Sequence, residues 1–120
     1  MKPKFRTGLI AGSLLFGAVS GCATAPVNER TESTGAAIRA AEEVGANKVP
    51  RASLYLQLAK EESERAKALS TDGDKDRAAS LLLRAEADAD LAVALSRESA
   101  EKADAAQAMD RVHELQKANK

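Results

Sequence analysis

Residues 75–99 read Lys-Asp-Arg-Ala-Ala-Ser-Leu-Leu-Leu-Arg-Ala-Glu-Ala-Asp-Ala-Asp-Leu-Ala-Val-Ala-Leu-Ser-Arg-Glu-Ser. Ala78, Ala85, Ala92 and Ser99 recur every seven residues, and Leu82, Ala89 and Leu95 fall between them. Side chains offset by three and four share one face of an α-helix, so the stretch predicts an amphipathic helix. Neither proline nor glycine occurs from Lys75 to Ala118, and the alanine row runs on to Ala106. One long helix over 75–118 is therefore expected. A second row, Leu83, Ala87, Leu91 and Ala94, widens its expected apolar arc. After Arg97 the arc narrows and charge rises. The first half is expected to pack in a bundle, and the second to project or to offer a surface to another chain.

Upstream of this helix, Thr71-Asp72-Gly73-Asp74 has the chemistry of a turn. Gly73 suits a left-handed position, Asp74 suits the N-cap of the next helix, and Asp76 suits its first turn. A turn this short makes the flanking helices antiparallel neighbours. The preceding helix is expected over 50–70. Pro50 fits a first helical position, and Ala52, Ala59 and Ala66 again recur at seven, flanked by Tyr55, Leu56 and Leu69. Leu54 and Leu58 form a second apolar edge. The two alanine rows should face each other in a left-handed, coiled-coil-like seam, with the axes close because the side chains are small.

A first helix is expected over 28–45, with Asn28 as N-cap and Glu29 and Glu32 near its positive end. Thr34, Ala37, Ile38, Ala41 and Val44 lie at helical spacing, and Gly45 stands where a helix closes with φ > 0. The fold class is thus all-α: a short antiparallel three-helix bundle or helical hairpin with a long C-terminal helix. The helical domain covers 28–120, preceded by a tether over 22–27.

The 120 residues contain 18 Lys and Arg and 18 Asp and Glu. Three of the cations, Lys2, Lys4 and Arg6, lie in the first 21 residues, which hold no acid. The remainder is net acidic. It lacks the basic face that a nucleic-acid binder uses to neutralise phosphates, and it is not a polybasic membrane-surface domain. Beyond residue 21 the only aromatic is Tyr55. Leucine, isoleucine and valine are sparse there and alanine abundant, so helix comes cheaply but the core is thin and stability modest.

The first 21 residues form three zones: a positive start over Met1 to Arg6, an uncharged run from Thr7 to Val19, and the small pair Ser20-Gly21. This is the layout of a secretory signal peptide. The run would span about 20 Å as helix, short of the ~30 Å bilayer core, so removal is expected rather than a permanent membrane span. Val19-Ser20-Gly21-Cys22 resembles the lipobox of bacterial lipoproteins. That resemblance implies cleavage before Cys22, a diacylglycerol (palmitate-type) anchor on its thiol, and acylation of the new amine. In the enteric sorting pattern an Asp after the cysteine marks retention in the inner membrane. Ala23 occupies that position, which implies the outer membrane, facing the periplasm. Cys22 is also the sole cysteine. Left unmodified it would be a free thiol with no internal partner.

No catalytic, cofactor-binding or metal constellation is evident. His113 is the only histidine, too little for a Ser–His–Asp or Cys–His arrangement or for a zinc site. Asp72, Asp74 and Asp76 alternate as in a calcium loop, but the later bidentate Glu is missing, and capping and turn formation account for them. Glu61, Glu62, Glu64, Arg65 and Lys67 read as a solvated helix face with a Glu61–Arg65 pair. Glu86, Asp88 and Asp90 read the same way. Tyr55 reads as core or edge packing.

From Ala25 to about Arg97 the chain resembles an uncharacterised family of alanine-rich helical lipoproteins of the bacterial envelope, some of which carry an added OmpA-like domain. The matching features are Gly45-Ala46, Val49-Pro50, Leu54 through Ala59, Ala66, Leu69, Gly73-Asp74, Ala78, and Arg84 through Ala92. The resemblance implies an all-helical periplasmic module with no known activity. The role expected of this chain is non-enzymatic: structural, or the binding of an envelope partner through the long helix. Its partners would be the membrane through the anchor, and an envelope protein, peptidoglycan or a second copy of the chain. The rival expectation is a murein-lipoprotein-like helical oligomer, joined to peptidoglycan through a terminal lysine, here Lys120. Gly45, Pro50 and Gly73 interrupt the single continuous coil that this rival needs.

Overall fold

The computed structural model describes residues 26–119, and these are helical almost throughout. Helix α1 spans Val27–Glu43, α2 spans Pro50–Thr71 and α3 spans Lys75–Ala118, with a single 3₁₀ turn at Ala46–Lys48 between the first two. The expected 28–45, 50–70 and 75–118 therefore hold to within two residues, and no strand occurs among the described residues.

The beginning of α1 departs from expectation. Pro26, not Asn28, is the N-cap, and no side chain caps the helix. Proline fixes φ near the value found here, −60°, and with ψ at 150° it is extended. Its carbonyl accepts from the Arg30 amide at 3.1 Å, so the first helical hydrogen bond starts two residues ahead of the expected cap. At the other end α1 stops at Glu43. Gly45 takes φ 77°, and its amide donates to the Glu42 carbonyl at 3.0 Å. This turns the chain into the 3₁₀ segment.

The α2–α3 connection is a Schellman closure fused to an N-cap. Gly73 adopts φ 86°. Its amide donates to the Ser70 carbonyl at 3.2 Å, and the Asp74 amide donates to the Leu69 carbonyl at 2.9 Å. The Asp74 carboxylate in turn accepts from the Arg77 amide at 3.3 Å. One residue thus ends α2 and opens α3, which is why the reversal is so tight.

Both alanine rows are inside. Ala52, Ala59, Ala78, Ala85 and Ala92 are fully buried and Ala66 nearly so, with Leu82, Ala89 and Leu95 beside them. Helix α1 lies along the pair, parallel to α3. The Thr34 hydroxyl donates to the Leu82 carbonyl at 3.2 Å, the Ser33 hydroxyl reaches a Glu86 carboxylate oxygen at 3.1 Å, and Glu42 pairs with Lys60 of α2. Ala41, Ala46, Ala52, Leu56, Ala92 and Leu95 form the core cluster, with Ile38, Val49, Tyr55 and Val93 packed against it. Tyr55 is thus partly buried edge packing. The largest fully buried side chains are only Leu82 and Thr34. With so little apolar area removed from water, alanine's helix propensity carries an unusual share of the stability.

Two expected apolar edges are not inside. Leu54 and Leu58 of α2 are exposed, and so are Leu83, Ala87, Leu91 and Ala94 of α3. The reason is coverage. Helix α3 has neighbours on only two sides, and at 100° per residue Leu83, Ala87 and Ala94 lie on the far side from its buried alanine row.

Candidate functional site

The part of α3 beyond Ser96 has no covering helix, and every described residue from 97 to 119 is exposed. The change is abrupt: Leu95 and Ser96 are buried, Arg97 is not. This segment extends for about 33 Å at 1.5 Å per residue. Ion pairs between Glu98 and Lys102 and between Glu114 and Lys117 line its surface. Among its residues Met109, Val112 and Leu115 are more than half exposed. Ala108, Met109, Val112, His113 and Gln116 border one shallow open groove of about 290 Å³. His113 therefore sits on an exposed helix face.

At the root of this segment Val49, Pro50, Arg51, Leu95, Glu98 and Lys102 border a second groove, of about 280 Å³. The Glu98 carboxyl lies below its ordinary pKa. The hydrogen bond from Lys102 is the main cause, followed by the charge of Lys102 and, more weakly, that of Arg51.

Glu62 is the residue that charge patterning misreads. Glu61, Glu64, Arg65 and Lys67 are exposed as a solvated face should be, but Glu62 is buried. One of its oxygens pairs with the Arg84 guanidinium at 2.7 Å, and the other has no hydrogen-bond partner among the described residues. Its position explains this: Glu62 lies three residues after Ala59 and four before Ala66, on the rim of the buried row. Glu86 is likewise half-buried under Ser33. The expected Glu61–Arg65 pair is replaced by a bond from Gln57 to Glu61 at 2.8 Å.

Arg65, Leu69, Arg77, Leu81 and Arg84 border a shallow groove between α2 and α3. Arg77 and Arg84 already face Asp74 and Glu62 there. Of the three turn aspartates, Asp74 caps α3, Asp72 ends α2 with its amide on the Ala68 carbonyl at 3.0 Å, and Asp76 lies in the first turn of α3. No group of three or more His, Cys, Asp or Glu side chains among the described residues is arranged to hold a metal ion. Cys22, the expected lipidation site, lies outside the described residues.

The described residues thus define an up-down-up helical bundle from which one helix projects. No family model, no curated protein and no solved structure matches this chain.

Proposed function

We propose that the chain is a lipid-anchored helical module of the bacterial cell envelope, acting without catalysis in a structural or partner-binding role at the periplasmic face of the outer membrane. The observation that carries this reading is Val19-Ser20-Gly21-Cys22, placed directly after an uncharged run that follows a positive start. No described helix is long and apolar enough to cross a membrane, and in this reading attachment comes from acyl chains. Each buried methylene contributes about 0.8 kcal/mol, so two or three chains hold where one is marginal. The helical module begins at Val27, only a few residues past the modified cysteine.

A murein-lipoprotein-like rod would need one uninterrupted helix. Here the chain reverses at Gly45 and again at Gly73, which favours the first reading.

The deciding experiment is intact-mass analysis of the protein purified from bacterial envelopes, alongside a Cys22→Ser variant. The expected result is a chain that starts at Cys22 and carries fatty acids, with the variant lost from the membrane fraction. An unlipidated thiol, or a retained leader, overturns the reading. Muramidase digestion separates the rival, since only a murein-linked form is released with sugar attached.

A further inference from the structure

Three helix ends meet at one pole of the bundle. Pro26 and Val27 at the start of α1, Ser70 near the end of α2, and Lys75 and Asp76 at the start of α3 border a common pocket. Because α1 and α3 are parallel, the opposite pole is the one from which α3 projects. Four peptide units separate Cys22 from Pro26, and fully extended they reach about 14 Å. A lipidated Cys22 sits at the headgroups, so its tether can hold only the first pole near the bilayer.

We infer that the bundle stands upright on the membrane. The Ser70 to Asp76 turn faces the lipid headgroups, and the 44-residue α3 holds its Ala118 end about 66 Å above that turn. The inference rests on the lipid-anchor reading and adds to it a direction and a height.

The competing arrangement has α3 lying flat with its outward row in the interface. Helices that lie in an interface set Lys and Arg beside Trp, Phe and Leu. The outward row of α3 is built differently. Leu83, Ala87 and Ala94 share their side of the helix with Glu98 and Glu101, which interrupt the path to Ala105 and Val112. Laying this row into the interface would desolvate both carboxylates. All 18 acidic residues of the chain lie within 26–119, whereas Lys2, Lys4, Arg6 and Lys120 of its 18 basic residues lie outside. Standing on one pole brings Asp72, Asp74 and Asp76 to the headgroups beside Lys75 and Arg77, and keeps most of the remaining acidic surface more than a Debye length from an anionic leaflet.

The sole cysteine is consumed by lipid in this reading, so introduced cysteines provide unique labelling positions. Asp72→Cys, on the turn, and Gln116→Cys, on the projecting helix, are both at exposed positions. Each variant is expressed with its leader, purified from membranes, labelled with one fluorophore, and reconstituted in vesicles of phosphatidylcholine and phosphatidylglycerol containing headgroup-nitroxide lipid. Several-fold quenching at position 72 with none at 116 is the expected result. Equal quenching at both, or stronger quenching at 116, overturns the upright arrangement. Intact mass of the same samples distinguishes the two failures. With acyl chains present, only the orientation is wrong; with none, the anchor reading falls and this inference with it.

Discussion

The hydroxyl of Thr34 donates to the main-chain carbonyl of Leu82 at 3.2 Å, and these two are the largest fully buried side chains among the described residues. A polar side chain is therefore the pin between α1 and α3. Thr34→Val keeps the shape and removes the donor. The expected loss is about 1 kcal/mol, the net worth of one such bond, read as a lower urea midpoint with an unchanged slope. Thr34→Ala should cost more, because it also leaves a cavity. Equal stability of wild type and Thr34→Val would show that the bond contributes nothing.

The Glu62–Arg84 pair joins unlike partners: the glutamate side chain is 10% exposed and the guanidinium 71%. Arg84→Ala should destabilise by about 1–3 kcal/mol by leaving a buried carboxylate without its donor. Glu62→Met should be neutral or stabilising, since an apolar side chain of similar volume also removes the unpaired oxygen. Chemical denaturation of the two single variants and the double variant tests this. A loss on Glu62→Met as large as that on Arg84→Ala would contradict the account.

Lys102 holds the Glu98 carboxyl below its ordinary pKa. A depressed carboxylate contributes to helix stability above its unfolded pKa and loses that contribution as pH falls through the folded value. Carbon-13 NMR titration of Glu98 should give a midpoint lower than that of a glutamate without a basic partner, and Lys102→Met should move it upward. An unmoved midpoint in the variant would remove Lys102 as the cause.

The buried seven-residue rows of α2 and α3, Ala52, Ala59 and Ala66 and Ala78, Ala85 and Ala92, are alanine throughout. Ala85 is fully buried there. Ala85→Leu must push the axes apart or force strained rotamers, at a cost of about 1–3 kcal/mol. Thermal melts followed by circular dichroism would register it. A stabilised variant would mean that the seam holds unfilled space.

Beyond Ser96 the same helix answers to different rules. Ala106→Pro breaks the helix locally by about 3 kcal/mol, yet residue 106 is exposed and lies past the bundle. Helical ellipticity should fall while the urea midpoint of the bundle stays where it was. A midpoint that falls with the ellipticity would show that the projecting segment supports the fold.

What could be read from the residues alone follows from which forces are local. The reversal at Gly73 was legible because Asp-Gly-Asp specifies its own geometry through a left-handed glycine and a side-chain cap. The rows at Ala52, Ala59 and Ala66 and at Ala78, Ala85 and Ala92 marked the buried faces for a similar reason, since spacing alone puts them in line. The exposure of Leu83 and Leu91 is not legible in the sequence, because the number of neighbours around α3 is a tertiary property. The burial of Glu62 is not legible either, because a run of charges hides the one member that falls on the rim of the buried row. The cap falls at Pro26 and not at Asn28 because the proline, two residues earlier, fixes its own φ. As for the candidate site, composition marked the stretch after Arg97 as different in kind, and its exposure is visible in the fold. Cys22 has no counterpart there, since the described residues begin at Pro26.

The Ser96 hydroxyl, still buried, donates to the Ala92 carbonyl at 2.8 Å. Such a back-bond competes with the helix's own ladder and favours a slight bend. It falls where α3 passes from three helices thick to one. A rod's resistance to flexing rises steeply with its thickness, so lateral force on the Met109 to Leu115 region concentrates at this junction. Any flexing under such a force would centre on this point, like an oar in its rowlock, with no glycine or proline at the fulcrum.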